Sequence, residues 1–131
     1  MQLILNDLMT KRTGNQDRLI SLIIKGIEKV KGENITILDL RDIENTVCDY
    51  FIICDGNSNT QVNAISSAIQ KTVSKAIKEK PWHVEGESNA TWILMDYINV
   101  VVHIFQKDTR EFYNIENLWG DAKNISISSN Y

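Results

Sequence analysis

The sequence predicts an α/β (α+β) fold, a single domain in which helices pack on a mixed sheet of about five strands. Three observations carry that expectation. Two β-rich runs, Trp92-Ile93-Leu94-Met95-Asp96-Tyr97 and Val100-Val101-Val102-His103-Ile104-Phe105, flank a two-residue break at Ile98-Asn99; this is a hairpin pattern. Two other stretches repeat apolar residues at helical spacing. The length of 131 residues, with 43% hydrophobic and 24% charged side chains, suits one globular domain. Such a chain can bury roughly two-thirds of the surface its unfolded form exposes, without metal or disulfide staples.

Taken in order, residues 1–16 read as an N-terminal extension, in which Leu3, Ile4, Leu5, Leu8 and Met9 have the makings of a short amphipathic turn. The first helix is expected from Asp17 to Lys31, with Leu19, Ile20, Ile23, Ile24, Ile27 and Val30 on one face. Gly32 is expected at the C′ position that stops it. Gly26 is an interior cost of about 1 kcal/mol against Ala, a cost that close packing would justify. Ile35–Leu40 and Tyr50–Cys54 are nearly continuous apolar runs, as in central strands covered on both faces. Ser58 and Gln61 have capping-box spacing and open a second helix whose buried stripe is Val62, Ile65, Ile69, Val73, Ala76 and Ile77. Pro81 lies at or beyond its end. Trp82–Glu85 is a short strand candidate, Glu111-Phe112-Tyr113 reads as extended, and Asn114 can cap a last short helix over Ile115–Trp119. The Ser- and Asn-rich residues 123–131 read as a frayed tail. The order is α-β-β-α-β-β-β-α, and the domain spans residues 17–122.

The hairpin sorts its residues by face, because side chains alternate along a strand and opposed residues share a face. With the turn at Ile98-Asn99, Asp96 opposes Val101 and Leu94 opposes His103. Ile93, Met95, Tyr97, Val100, Val102 and Ile104 form a core-facing surface. Trp92, Leu94, Asp96, Val101, His103 and Phe105 form the other, whose mixture of aromatic, carboxylate and imidazole makes it a candidate working surface. The alternative is that another element covers it, with Asp96 and His103 as satisfied polar groups. The turn conflicts with its residues: a type I′ turn needs φ > 0 at both central positions, which Asn99 tolerates and the β-branched Ile98 resists.

Several functions find little support. A net charge of −3 makes a poor general binder of phosphate backbones. Gly56-Asn57-Ser58 lies between strand and helix, where amides can hold an anion, but without a G-x-x-x-x-G-K-S/T or G-x-G-x-x-G pattern it reads as a tight turn with an N-cap. Strands supply only isolated carboxylates, Asp39, Asp55 and Asp96, where metal-assisted phosphoryl transfer needs them clustered. Cys54 with His103 would be a nucleophile pair, yet a thiol in an apolar run is usually inert. Cys48 and Cys54 fit no common metal spacing and read as free thiols in a reducing cytosol. A His83–His103–Asp96 metal site has no spacing in its favour. No run approaches the roughly 18 apolar residues of a membrane span, and the start lacks a signal-peptide pattern; a cytoplasmic protein is expected. The aromatics Trp92, Tyr97, Phe105, Tyr113 and Trp119, gathered late in the chain, suit an interface or a core.

The same residues resemble the ribosomal silencing factor S (Iojap-like) family. The resemblance rests on the hairpin together with Arg110-Glu111-Phe112-Tyr113, Leu118-Trp119, Ile37-Leu38-Asp39-Leu40, Cys48-Asp49-Tyr50-Phe51-Ile52-Ile53-Cys54, Gly56-Asn57-Ser58 and Glu85-Gly86. It covers residues 17–122. It implies a nucleotidyltransferase-like fold without that enzyme's carboxylates, no catalysis and no cofactor. It further implies binding to the large ribosomal subunit through ribosomal protein fourteen, obstruction of subunit joining, repression of translation when nutrients are scarce, and a role in large-subunit biogenesis. A homodimer is implied for the free protein. By motif position, Trp92, Asp96 and Tyr97 fall in the partner-binding segment, with Leu94 and His103 nearby. The family usually has Gly where this chain has Ile98. The competing reading is a nucleotide-binding or nucleotidyltransferase-type enzyme, whose only support is the Gly56-Asn57-Ser58 turn.

Overall fold

A computed structural model describes residues 15–128. Helix α1 (Asn15–Lys29) leads into β1 (Glu33–Asp39) and β2 (Tyr50–Gly56), followed by α2 (Asn59–Ile77), β3 (His83–Glu85), β4 (Trp92–Asp96) and β5 (Val100–Gln106). Two short helices, α3 (Lys107–Tyr113) and α4 (Ile115–Leu118), precede β6 (Lys123–Ile127). The sheet has the order β3-β4-β5-β2-β1-β6. All neighbours are antiparallel except the central pair β2 and β5, which run parallel. No described helix is long and apolar enough to cross a membrane.

Helices α1 and α2 cover one face of the sheet. Their stripes, Ile20, Ile23, Ile24 and Ile27 on α1 and Val62, Ile65, Ile69 and Val73 on α2, bury against Ile37, Ile52, Cys54, Ile93, Met95, Val102 and Ile104 of the strands. The helices touch closely at Gly26: a Cβ there would stand 2.7 Å from the Ile69 Cα. Close packing therefore accounts for the glycine. Helix α2 starts as its sequence suggests, with the Ser58 hydroxyl accepting from the Gln61 amide at 3.1 Å. The return half of the box differs, because the Gln61 side chain accepts from Asn57 N–H instead, at 2.8 Å.

Five sequence expectations are corrected. The left-handed residue closing α1 is Lys31, at φ 59°, not Gly32. The Lys31 amide bonds to Glu28 O and the Gly32 amide to Ile27 O, which places Gly32 one position further along a Schellman motif. A Cβ on Gly32 would meet Ile27 Cγ2 at 2.5 Å, so the glycine is there for space. Glu111-Phe112-Tyr113 is helical: α3 begins directly after β5 and is tied down through Arg110, and this tertiary anchor overrides the aromatic preference for strands. Lys123–Ile127 is not frayed but pairs along β1, from Asp39↔Lys123 to Ile35↔Ile127. Its isoleucines at alternate positions, Ile125 and Ile127, reach the helix-side core, a period-2 signal hidden among Ser and Asn. The sheet accordingly has six strands rather than about five. Helix α1 also takes in Asn15 and Gln16, the end of the expected extension. The amphipathic turn expected at Leu3–Met9 lies outside the described residues.

The hairpin register is the expected one: Trp92↔Phe105, Leu94↔His103 and Asp96↔Val101. The turn places the left-handed conformation on Ile98, at φ 78°, and not on Asn99. The Asn99 amide donates back to the Tyr97 carbonyl at 3.1 Å, so Ile98 is the central residue of a γ-turn with positive φ, a rare and strained conformation. Surrounding bonds hold it there. Asp96 Oδ1 accepts from Ile98 N–H at 2.7 Å, and the Asn99 carbonyl accepts from the amides of Asp49 and Tyr50 at 2.8 and 3.1 Å.

A candidate docking surface on the open face

The face of the sheet away from α1 and α2 carries a second, smaller apolar cluster built on Leu38, Ile53, Val101 and Phe105, with Ile115 of α4 packed against it. Its upper layer is aromatic. The Trp92 ring lies 4.8 Å from Phe105 and 4.9 Å from Tyr113. His103 meets Phe51 edge-on at 4.5 Å, and Phe51 meets Trp119 edge-on at 5.6 Å. Trp92, Leu94, Phe51 and Trp119 pack on the cluster while staying partly exposed. Phe112 and Leu118, on the helices that border the face, are 81% and 76% exposed. An aromatic surface of this composition, still open to solvent, suits a partner better than water.

The polar groups of this face are largely committed inside the molecule. Trp92 Nε1–H donates to His103 Nδ1 at 3.1 Å, so the neutral imidazole carries its proton on Nε2. That atom is buried and has no hydrogen-bond partner. Burial pushes the His103 pKa down to about 4, because charging an imidazole away from water is costly. His103 is therefore a neutral post beneath Trp92 and is 5% exposed. Asp96 is partly exposed, and its Oδ1 is held by the Ile98 amide of the turn.

Of the five residues singled out from the sequence, Trp92, Leu94, Asp96 and His103 share this face, and His103 serves it from beneath. Tyr97 does not share it. It is 7% exposed on the helix side, as strand alternation alone would place it. Phe51 belongs to this candidate surface and was missed by sequence reasoning. It reaches the surface because β2 pairs with β5, with Phe51 opposite Val101, and a parallel register leaves no local mark in a sequence. Phe112 was missed because its seven-residue helix reads as extended in the sequence; the short helix over Ile115–Leu118 is as expected, but nothing local marks Leu118 as exposed.

The alternative chemistries meet specific obstacles. Arg110 reaches Asp55 at 3.1 Å, Glu116 at 3.0 Å and Thr36 Oγ1 at 3.2 Å, while Asn34 Nδ2 donates to both Asp55 oxygens at 3.2 Å. Asp39 is paired with Arg41. Burial would raise the Asp39 carboxyl, but the hydrogen bonds and charge of Arg41 hold it below the usual range. Among the described residues no group of three or more His, Cys, Asp or Glu is placed to hold a metal ion. Cys54 aligns with Ile104 while His103 aligns with Ile53, so the thiol and the imidazole point to opposite faces. Burial raises both thiols, Cys48 to about 11 and Cys54 further, which leaves them protonated and inert. In the Gly56-Asn57-Ser58 turn, the Asn57 and Gln61 amides are already bonded and the Asn57 carboxamide donates to Glu33 at 3.2 Å. A carboxylate there disfavours an anion.

Comparison with known proteins decides the family. The model of the family described as ribosomal silencing factor during starvation, RsfS, matches residues 13–130. The chain belongs to the RsfS family. It is similar to the ribosomal silencing factor RsfS of Bacillus subtilis, with 41% identity over 109 residues, 82% of this chain and 90% of that protein. A crystal structure of a Chromobacterium violaceum protein superposes with a TM-score of 0.76 at 30% identity, covering 90% of this chain and 94% of that one. A more distant likeness, 24% identity over 102 residues, reaches a mouse protein named for mitochondrial assembly of the ribosomal large subunit and spans 76% of this chain and 44% of that protein. The overall fold is thus shared with a solved structure.

Proposed function

We propose that the protein silences ribosomes by docking the open face of its sheet on the large ribosomal subunit. Docked there, it keeps the small subunit from joining and lowers translation when nutrients are scarce. Ribosomal protein fourteen is the proposed contact. The observation that carries this reading is the exposed aromatic and aliphatic layer on an RsfS-family scaffold: Trp92, Leu94, Phe51 and Trp119 are supported from below, and the Trp92 indole already has its internal bond. Such a surface gains by excluding water against a partner and has little to offer a reaction. The protein acts by binding, without catalysis, in the cytoplasm. A homodimer is proposed for the free form, formed through the exposed apolar residues of α3 and α4. A part in large-subunit assembly fits the name of the mouse relative and uses the same face.

Co-sedimentation with purified large subunits, read beside thermal melting, tests the reading. Leu94 is half-buried at the centre of β4, so Leu94→Asp places a charge in the interface while leaving the helix-side core intact. Wild type should pellet with large subunits and inhibit their joining to small subunits. Leu94→Asp should melt cooperatively and bind at least about tenfold more weakly, since charges at an interface core are unfavourable. A folded Leu94→Asp protein that pellets like wild type would exclude this face.

A further inference from the structure

On the helix side, at the end away from the turn of Gly56, two clefts meet at Lys80. One, of about 640 Å³, is lined by Gln70, Lys71, Ser74, Lys75, Lys80 and Pro81. Three lysines line it and no acidic residue does, in a chain whose net charge is −3. Among the described residues none of the three lysines forms an ion pair. The other cleft, about 430 Å³, lies across the Pro81-Trp82 segment and includes Glu79, Lys80, Trp82, Tyr97 and Asn99 in its lining. Trp82 is 76% exposed, an unusual place for an indole, with His83 as its ring neighbour at 6.4 Å. Tyr97 is the reverse: its ring is buried and its hydroxyl has no hydrogen-bond partner. The phenol is pushed above its ordinary range by burial and then by the charge of Glu79.

We propose that these joined clefts bind single-stranded RNA, with phosphates held by Lys71, Lys75 and Lys80 and one unstacked base lodged beside Trp82. The parts match what such a ligand needs. Lysines track the backbone, an exposed indole gives a base a stacking platform, and polar groups meet its edges. The second cleft is of ligand-binding size, and Asn99 and Glu79 in its lining supply those edge groups. A carboxylate accepts from an exocyclic amino group such as that of cytosine, so cytosine should be preferred to uracil. An acidic peptide would use the lysines but would leave the exposed indole unexplained. Lysines at the end of α2 also complement its dipole, but that role has no bearing on RNA affinity. These clefts lie on a different face from the docking surface, and RNA binding there does not depend on docking.

The test is fluorescence anisotropy of the full chain with short labelled single-stranded oligocytidylate and oligouridylate, so ribosome docking plays no part in the readout. Binding should weaken as salt rises. In the Lys71→Gln/Lys75→Gln/Lys80→Gln variant the slope of log K against log salt should flatten by about 2, at about 0.7 per phosphate contact on a single strand. Trp82→Ala should weaken binding about 5- to 150-fold, the range for loss of one stacked base, and Trp82→Phe should restore most of it. Lys71, Lys75, Lys80 and Trp82 are all exposed, so the variants should fold. Absence of saturable binding at low salt would overturn the proposal. So would equal binding of a poly-glutamate peptide, or a Trp82→Ala protein that binds oligocytidylate like wild type.

Discussion

The two faces of one sheet differ in kind. Beneath α1 and α2, the strands present mainly Ile, Val, Met and Cys, with Tyr50 and the adjoining Tyr97 as the aromatic members, closed from water. On the open face the same strands present Phe51, Trp92, Leu94, His103 and Phe105, with Trp119 and Tyr113 laid over them. Aliphatic residues fill volume in a core at low cost in polar satisfaction. Aromatics with a polar handle suit a surface that must be stable both free and covered. The indole–imidazole bond is informative here: it satisfies the Trp92 N–H without water, so a partner can bury the ring without leaving that donor unpaired. The helix-covered face therefore accounts for stability, and the open face is the one proposed for recognition.

That contrast is most exposed to failure at matched truncations. Ile104 is fully buried on the helix side, and Ile104→Ala should cost about 2–5 kcal/mol of folding free energy while the folded fraction still docks normally. Phe51→Ala, on the half-open side, should cost less in denaturant titrations but weaken large-subunit binding by roughly 2 kcal/mol or more if Phe51 is an anchor. If Phe51→Ala instead destabilises as much as Ile104→Ala and leaves docking untouched, the open face is merely a second core.

A medium effect follows from His103. Its folded pKa, about 4, lies below the ordinary 6.5. The unfolded state thus binds the extra proton first as pH falls. Stability from this residue is complete above about pH 6.5 and is lost progressively down to about pH 4, for a total of about 3 kcal/mol. His103→Gln can still accept from the Trp92 indole and does not titrate. Stability curves against pH should therefore diverge between wild type and His103→Gln over that window, with wild type losing more. Parallel curves would mean that His103 is solvated or that the open face is more mobile than its ring contacts imply.

Much of this contrast is legible in the amino-acid sequence. Alternation places Ile93, Met95 and Tyr97 on one face and Trp92, Leu94 and Asp96 on the other, and the two-residue break sets their register, because both are local rules. Tyr97 shows where segment resemblance and alternation conflict: adjacency to Asp96 draws it into the candidate site, while the pleat turns it the opposite way. What stays hidden is non-local. The parallel pairing that brings Phe51 beside Val101 joins strands separated by α2 and a hairpin. β6 depends on β1 for its pairing, and α3 depends on the bonds of Arg110 to Asp55 and Glu116.

The smallest expected effect lies where the two faces meet, at the turn. Ile98 is held at φ 78° and is 60% exposed, so it bears backbone strain with little burial to offset it. Such a conformation costs a non-glycine residue about 1–3 kcal/mol. Glycine removes the strain but adds unfolded-state entropy of roughly 0.4–1 kcal/mol. Ile98→Gly should therefore stabilise the protein by a net amount between about zero and about 2.6 kcal/mol, seen as a higher denaturation midpoint at unchanged m-value. Docking by the open face should be unaltered, since the backbone amide at position 98 keeps its bond to Asp96 in either variant. A destabilised Ile98→Gly would mean that the side chain contributes more than the strain costs. The surface it would contribute to is the cleft that it lines with Trp82 and Tyr97, which would move the weight of the turn from the open face to the helix side.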